Sequence, residues 1–301
     1  MSELPAGHRA APLAAVDAAE VTRVWRACEL HDDGEALFAE EDFVAAWQRP
    51  SFDFARDTIG VREGDSLVAL ALLLGERDAL ACVLPSHRGR GVGRWLLDWA
   101  TEAARAAGHS VISQAVSVKD PGAAALLEAA GYVARYDSWL FDVALEQEPE
   151  PPAVPPGYAL RGFVPGRDDR AVHRVIEDAF SEWPDHDPDS FEDWVAETLG
   201  RPGMVPQEHI ALAVRGEEVA GAAVLIEDAT AGMWVHQLAV ARAHRRRGLA
   251  HALLAHAFVL SWRAGHRRSG LGTDSRTGAR GLYEQVGMHV SRTFTEYFKP
   301  L

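Results

Sequence analysis

Two arginine- and glycine-rich turns are the features of this sequence best suited to chemistry. The first reads Arg88-Gly89-Arg90-Gly91-Val92-Gly93 and the second reads Arg245-Arg246-Arg247-Gly248-Leu249-Ala250. Each follows an apolar run typical of a strand and precedes apolar residues at helical spacing. The free amides and the dipole of a helix N-terminus attract an anion, glycine admits it close to the backbone, and arginine adds charge-assisted hydrogen bonds. The pattern predicts a pyrophosphate-binding turn in each half.

Neither turn matches the common nucleotide-binding motifs. No Gly-Lys-Ser/Thr follows, so neither is a Walker loop, and the Gly-x-Gly-x-x-Gly fingerprint of dinucleotide sites is absent. A single turn of this kind is also explained as a basic cap of a helix. Its occurrence at the same place in both halves favours a binding function.

The elements that must position these turns also occur twice. The apolar runs Leu67–Leu74 and Val219–Ile226 each follow a tight turn and predict a strand. A second strand is predicted at Leu80–Leu84 and at Val235–Val240, directly before the two turns. Arg88 and Arg245 are 157 residues apart, and so are Gly91 and Gly248. This constant spacing indicates a duplicated unit of strands and helices.

A segment rich in proline and glutamate separates the two copies. Residues 146–157 contain five prolines and three glutamates, a composition that sustains neither a helix nor a central strand. We interpret it as a semi-rigid linker, although a surface loop inside one domain has a similar composition. The predicted domains are therefore 1–145 and 158–301, joined by the linker 146–157.

Composition excludes several classes of protein. The net charge of −14 argues against a nucleic-acid partner, which requires a basic surface. The only cysteines, Cys28 and Cys82, form neither a disulfide framework nor a zinc motif, and no metal site is expected. No apolar run approaches the roughly 18 residues of a membrane span, and no signal peptide is evident. We expect a cytoplasmic protein without a membrane partner.

The motifs resemble those of the Gcn5-related N-acetyltransferase (GNAT) family. Both turns match the family signature Arg/Gln-x-x-Gly-x-Gly/Ala. A second family pattern, Asn-x-x-Ala-x-x-Leu-Tyr-x-x-x-Gly-Phe, is matched in the C-terminal half by Ala279, Leu282, Tyr283, Gly287 and Met288, with Arg276 in place of Asn. Its N-terminal match is Asp120, Ala123, Leu126, Leu127, Gly131 and Tyr132. The resemblance implies an α/β fold (α+β, mixed sheet) with two tandem GNAT domains of the acyl-CoA N-acyltransferase type.

The resemblance also implies acetyl-CoA as cofactor. In the C-terminal half it assigns the pantetheine arm to the backbone of Leu238, Ala239 and Val240, and the pyrophosphate to the amides of residues 246–250, with Arg245 and Arg276 nearby. The N-terminal counterparts are Ala81, Cys82 and Val83, followed by Arg88 and residues 89–93.

The two halves differ at the position where many family members carry a proton-donating tyrosine. That position is Tyr283 in the C-terminal half and Leu127 in the N-terminal half. The resemblance implies that Tyr283 protonates the departing CoA thiolate, which leucine cannot do. We hypothesise that the C-terminal domain is catalytic and that the N-terminal domain is structural or binds CoA unproductively. The alternative for Tyr283 is a packed aromatic residue of a helix.

The general base is less strongly indicated. Some family members carry a glutamate four residues before the position of Leu238, where this chain has Trp234. His236 follows two residues later, on the same face of a regular strand, and histidine exchanges protons near neutral pH. Glu227 and Asp228, at the end of the preceding strand, are competitors, and an interior histidine with satisfied hydrogen bonds remains an alternative for His236.

The acceptor pocket of this fold is usually formed by the first helices. In the C-terminal half this segment comprises residues 180–189, followed by Phe191 and Trp194, with acids between aromatic side chains that could hold a cation. We favour a plainer interpretation for most of them: Asp189 or Ser190 begins a helix, and Trp183, Phe191 and Trp194 lie in the core.

The predicted function is transfer of an acetyl group from acetyl-CoA to a primary amine of a small molecule. The alternatives are a non-catalytic acyl-CoA-binding or sensor protein and a protein N-terminal or lysine acetyltransferase. A monomer is expected rather than a homodimer, because a tandem pair can bury the same face internally.

Overall fold

The structure, a computed structural model, describes residues 2–183, 186–228 and 232–301. The elements up to the middle of the chain are β1 (His8–Ala11), α1 (Ala18–Asp32), α2 (Glu40–Trp47), α3 (Phe54–Asp57), β2 (Thr58–Glu63), β3 (Ser66–Leu74), β4 (Asp78–Val83), α4 (Val92–Ala106), β5 (Val111–Ser117), α5 (Pro121–Ala129) and β6 (Val133–Ala144). The remaining elements are β7 (Ala159–Gly162), α6 (Asp169–Phe180), α7 (Phe191–Trp194), α8 (Pro206–His209), β8 (Ile210–Arg215), β9 (Glu218–Asp228), β10 (Gly232–Val240), α9 (Leu249–Arg263), β11 (Arg268–Asp274), α10 (Arg280–Gln285) and β12 (His289–Pro300).

These elements form two compact units. Unit 1 consists of Met1–Ser138 and Arg292–Leu301, and unit 2 consists of Trp139–Ser291. The predicted domains 1–145 and 158–301 differ from these units at both ends. The second part of β6 belongs to unit 2, and most of β12 belongs to unit 1. No helix or strand lies between β6 and β7, a stretch that the structure describes in full.

Unit 1 is a mixed sheet with helices on both faces. Strands β1 to β4 are antiparallel neighbours, β4 runs parallel to β5, and the end of β12 pairs antiparallel with β5, from Phe294 opposite Ser117 to Pro300 opposite Val111. Residues 67–73 of β3 are all buried, as expected for a central strand covered on both sides. Leu70 and Leu72 pack beneath α1, and Ala69 and Ala71 pack beneath α4.

Unit 2 repeats this plan. Strands β7 to β10 are antiparallel neighbours, and β10 and β11 pair in parallel, Met233–Val235 opposite Ser269–Leu271. Helix α6 covers one face with Val172, Val175 and Ile176. Helix α9 covers the other face with Leu253, Leu254 and Phe258, so its apolar spacing follows from burial. The predicted mixed α/β architecture is confirmed.

The two arginine-rich turns have the same backbone. Gly91 and Gly248 precede α4 and α9 with φ of 89° and 85°, the left-handed region that glycine enters without steric cost. Two residues earlier, Gly89 has φ 73° and Arg246 has φ 58°. Arg246 adopts a conformation that costs a non-glycine residue about 1 kcal/mol or more. Unit 2 therefore tolerates local strain in its turn where unit 1 has glycine.

Among the described residues, no helix is long and apolar enough to cross a membrane.

Candidate active site

Unit 2 contains a cavity of about 820 Å³ that is bounded by the end of α6, strands β10 and β11, the start of α9 and helix α10. The predicted site residues that line it are His236, Leu238, Ala239, Val240, Arg245, Arg246, Gly248, Leu249, Ala250, Arg276 and Tyr283. Arg247 is not among the lining residues, and its guanidinium lies 3.5 Å from the carbonyl oxygen of Ala243. The turn and the residues predicted for catalysis thus line the same cavity.

A β-bulge in β10 places His236 at this cavity. The pairing of β10 with β9 shifts between Val235 and Gln237. Val235 and Val240 both pack towards α9, although five positions of a regular strand would put them on opposite faces. The extra residue at the bulge is His236, whose side chain is exposed and lines the cavity.

The expectation that His236 shares a face with Trp234 assumes a regular strand, and the bulge interrupts the alternation of β10 between them. Trp234 is not a lining residue and instead covers β11, since a Cβ added at Gly270 would lie 2.5 Å from its ring. No feature of the sequence indicates the bulge, which is a property of strand pairing.

The turn before α9 lines the cavity with Arg246, Gly248, Leu249 and Ala250. The first four amides of a helix have no intrahelical acceptor, and those of α9 follow directly on Arg246 and Gly248. The side chain of Arg245 is engaged elsewhere: Nε donates to the carbonyl oxygen of Val240 at 2.9 Å, and Nη1 donates to Glu182 at 2.7 Å. This hydrogen bond lowers the pKa of Glu182. Arg245 therefore holds the end of β10 and the end of α6 in place.

Tyr283, on α10, lines the same cavity. It is 8% exposed, and its ring centroid is 5.4 Å from that of Phe141. Burial raises the pKa of Tyr283 above its ordinary value, and a hydrogen bond with Thr273 acts in the opposite direction. Thr273 is a lining residue that the motifs did not indicate, because it becomes a neighbour of Tyr283 only through the packing of α10 on β11.

Arg276, at the family's asparagine position, is paired with an acid. Its Nη2 and main-chain nitrogen both donate to Asp274, at 2.8 Å in each case. The pair holds the loop between β11 and α10, and the arginine still lines the cavity.

The segment after α6 contains helix-cap and core residues as well as a residue that lines the cavity. Ser190 accepts a hydrogen bond from the amide of Asp193 and caps α7, and Trp194 is a core residue with 1% exposure, as expected. Trp183, in contrast, is 37% exposed, stacks on Phe180 at 4.9 Å and lines the cavity. The core prediction is therefore wrong for Trp183. Residues 184 and 185 lie outside the described residues.

The competing bases lie elsewhere or are not described. Glu227 is not a lining residue, and its Oε1 is 3.4 Å from His266 and 3.9 Å from His209. The side chain of Asp228 is outside the part that the structure describes. Within that part, no group of three or more possible ligands could hold a metal ion.

Unit 1 differs from unit 2 at the bulge and at the tyrosine position. Its strand β4 pairs with β3 in unbroken register from Asp78 to Val83, which includes Ala81 and Cys82, so the bulge is missing. Leu127 is buried in the core. Arg88 donates two hydrogen bonds to Asp32, at 2.6 and 2.7 Å, which hold its pKa well above the ordinary value of arginine.

The end of α1 is tied to two further parts of unit 1. Asp33 accepts a hydrogen bond from Ser117 at the end of β5, at 2.8 Å. Buried Arg292 donates to the carbonyl oxygen of Glu35 at 2.6 Å. In unit 2 the residue corresponding to Ser117, Asp274, pairs with Arg276 instead.

Comparisons with known proteins agree with this duplication. A family model described as the acetyltransferase (GNAT) family matches residues 19–132 and 170–288. Two curated relatives are named mycothiol acetyltransferase: one from Sanguibacter keddieii, 33% identical over 184 residues, and one from Cellulomonas flavigena, 38% identical over 104 residues. The matches cover 58% and 34% of this chain and only 57% and 30% of those relatives.

Two solved structures resemble nearly the whole chain. A GCN5-related N-acetyltransferase from Sphaerobacter thermophilus has a TM-score of 0.80 and 30% identity, and the likeness covers 99% of this chain and 97% of that one. A tandem GNAT protein from the clavulanic acid biosynthesis pathway has the same fold, with a TM-score of 0.72 and 20% identity over 97% of this chain and 98% of that one. The tandem architecture, similar to that of mycothiol synthase, is thus confirmed, and the chain belongs to the GNAT family of acetyltransferases.

Proposed function

We propose that unit 2 transfers the acetyl group of acetyl-CoA to a primary amine of a small molecule by direct attack. The observation that carries this proposal is the shared cavity, which is lined by the bulge residue His236, the turn before α9 and the hydroxyl-bearing Tyr283. A nucleophile that reaches the bulge would therefore meet both a proton acceptor and a proton donor.

The residues of the cavity suit acetyl-CoA. The amides of the turn and the positive end of the α9 dipole fit a pyrophosphate. Beyond Val235, which still pairs with β11, the strand from Leu238 to Val240 lines the cavity and offers backbone groups to an extended amide chain such as pantetheine. Bound acetyl-CoA supplies the activated thioester.

Tyr283 is the proposed general acid. As the amine nitrogen forms its bond to the acetyl carbon and the carbon–sulfur bond breaks, the phenol proton passes to the departing sulfur. Because burial raises the pKa of Tyr283, its hydroxyl stays protonated throughout the neutral range.

His236 is the proposed general base. The attacking amine must lose one proton, and an exposed imidazole at the bulge can accept it directly or through one water molecule. Trp234, at the position where some family members carry a glutamate, has no proton-accepting group.

Unit 1 lacks these groups, and its proposed role is non-catalytic. Its β4 has no bulge, and Leu127 has no proton to donate. These differences support catalysis in unit 2 alone.

The curated relatives guide the choice of acceptor. Because they are named mycothiol acetyltransferase, the acceptor used by those enzymes is the first compound to test, followed by other small amines. Trp183, whose ring lines the cavity, suits an acceptor with a cationic amine.

A thiol-release assay with acetyl-CoA and a panel of amines tests the proposal. Release that depends on an amine, together with acetylated amine detected by mass spectrometry, is expected. Binding of acetyl-CoA without turnover on any amine would support a CoA-binding module instead, and turnover on peptides alone would indicate a protein acetyltransferase.

A further inference from the structure

The segment that leads into the first strand of each unit is similar in sequence and in structure in the two units. Residues 4–8 read Leu-Pro-Ala-Gly-His, and residues 154–158 read Val-Pro-Pro-Gly-Tyr. In unit 2 the ring of Pro155 lies 3.7 Å from where a Cβ of Gly248 would stand, and in unit 1 Pro5 lies 3.4 Å from the same point at Gly91. The segment therefore packs behind the left-handed glycine of each turn.

In unit 2 this segment is also hydrogen-bonded to the other end of the turn. The hydroxyl of Tyr158 is 2.9 Å from Nδ1 of His244, and the two rings meet edge to face. His244 ends the short helical turn Arg242–His244, directly before Arg245, and is 4% exposed.

Glu218 lies close to the other ring nitrogen of this histidine. Its carboxylate lies 3.2 Å from Nε2 of His244.

Tyr158 thus touches both ends of the turn. Its ring packs in the apolar cluster that contains Val240 and Leu249, the first residue of α9, and its hydroxyl holds His244. The strained Arg246 lies between these two fixed points.

Unit 1 lacks the corresponding hydrogen bond. His8 and His87 occupy the equivalent places and their rings are 6.3 Å apart, but Nδ1 of His87 is hydrogen-bonded to its neighbour Ser86 at 2.9 Å. Glu63 lies 3.1 Å from Nε2, as Glu218 does in unit 2. The two units therefore share the carboxylate and the histidine but not the link to the preceding segment.

We propose that Tyr158, acting through His244, is a positioning residue for binding of the CoA pyrophosphate in unit 2. The link keeps the turn in the geometry that directs its amides into the cavity, so that a bound pyrophosphate does not have to order it. This inference rests on the proposed function of unit 2. It concerns affinity for CoA and not the chemical step.

The test is the variant Tyr158→Phe, which removes one hydroxyl and keeps the ring. Loss of one hydrogen bond predicts a Kd for CoA that is about fivefold higher by calorimetry, and a KM for acetyl-CoA raised by a similar factor. The kcat at saturating acetyl-CoA should stay unchanged, a split that a merely structural role would not produce. Tyr132→Phe is the matched control, since its buried hydroxyl lies 3.5 Å from Gln114 in unit 1, and it should leave the Kd unchanged.

The urea midpoint of each variant shows whether it is folded under the conditions of the assay. Wild-type affinity in folded Tyr158→Phe, or a lower kcat with unchanged KM, would overturn the positioning role alone. If the wild-type chain itself bound no CoA, the proposed function would fail together with this inference.

Discussion

The side chain at position 283 is the clearest chemical difference between the two copies of the repeat. We expect Tyr283→Phe to lower kcat by about 10²–10⁴-fold, the usual contribution of a general acid, and to leave the KM for acetyl-CoA unchanged. The measurement is steady-state thiol release. Because burial raises the pKa of Tyr283, loss of its proton should lower the wild-type rate in alkaline solution, and this alkaline limb should be absent from the variant.

Leu127→Met is the matched control in unit 1, because it changes the corresponding buried position at nearly constant volume. It should retain full turnover. Full turnover by Tyr283→Phe, with loss of turnover by the change at Leu127, would place catalysis in the other unit.

His236, at the bulge, should determine how the rate depends on pH in acid solution. If His236 accepts the proton of the amine, His236→Ala should lose the acid limb of the pH dependence of kcat/KM, because this limb reports protonation of the base. His266→Ala, a change to a histidine that faces Glu227 outside the cavity, should keep the limb. An acid limb that is the same in His236→Ala as in the wild type would remove His236 from the mechanism.

Among the elements, α6 depends on one carboxylate for its attachment to β7. Arg161 of β7 donates two hydrogen bonds to Asp168, at 2.6 and 2.9 Å, and the amide of Val164 donates a third at 2.8 Å. Burial by itself would raise the pKa of Asp168, but these contacts and Arg167 lower it to about 2. The carboxylate fixes the beginning of the helix whose other end brings Phe180 to the cavity.

Since the pKa of Asp168 is lower in the folded chain than the value of about 3.9 in an unfolded one, its contribution to stability is complete above that pH and is lost as the pH falls towards 2. We expect Asp168→Asn to lower the free energy of unfolding by about 2 kcal/mol at pH 7. Urea denaturation at several pH values measures this, and the difference from wild type should shrink on acidification. Asp178→Asn, at an exposed position of the same helix, is the control. A difference that did not change with pH would contradict the role of the charge.

At the scale of the whole molecule, the last residues of the chain complete unit 1. Tyr297 and Phe298 are buried there, and Arg292 reaches the carbonyl oxygen of Glu35. The sequence halves are therefore not the units that fold together, because the final strand pairs with β5.

Removal of residues 292–301 should therefore weaken the N-terminal unit. We expect faster hydrogen exchange in β5, which loses its antiparallel neighbour, and unchanged protection in β10. Hydrogen–deuterium exchange followed by mass spectrometry measures both peptides. If protection were lost in β10 and kept in β5, the assignment of this strand to unit 1 would be refuted.

The sequence by itself determined the duplication, the two turns and the contrast between Tyr283 and Leu127. These features depend on residue type at local spacing: apolar periodicity, glycine at left-handed positions and arginine at a helix start. The family match at residues 19–132 and 170–288 agrees with that interpretation.

Only the tertiary structure decided which side chains meet. The bulge that brings His236 to the cavity, the exposure of Trp183, the neighbour Thr273 and the link from Tyr158 to His244 all involve partners distant in sequence. The same holds for β12, which ends the C-terminal half of the sequence but pairs with β5 of unit 1. The physical reason is that strand register and side-chain packing are set by hydrogen bonds and contacts between separate elements, which no local pattern specifies.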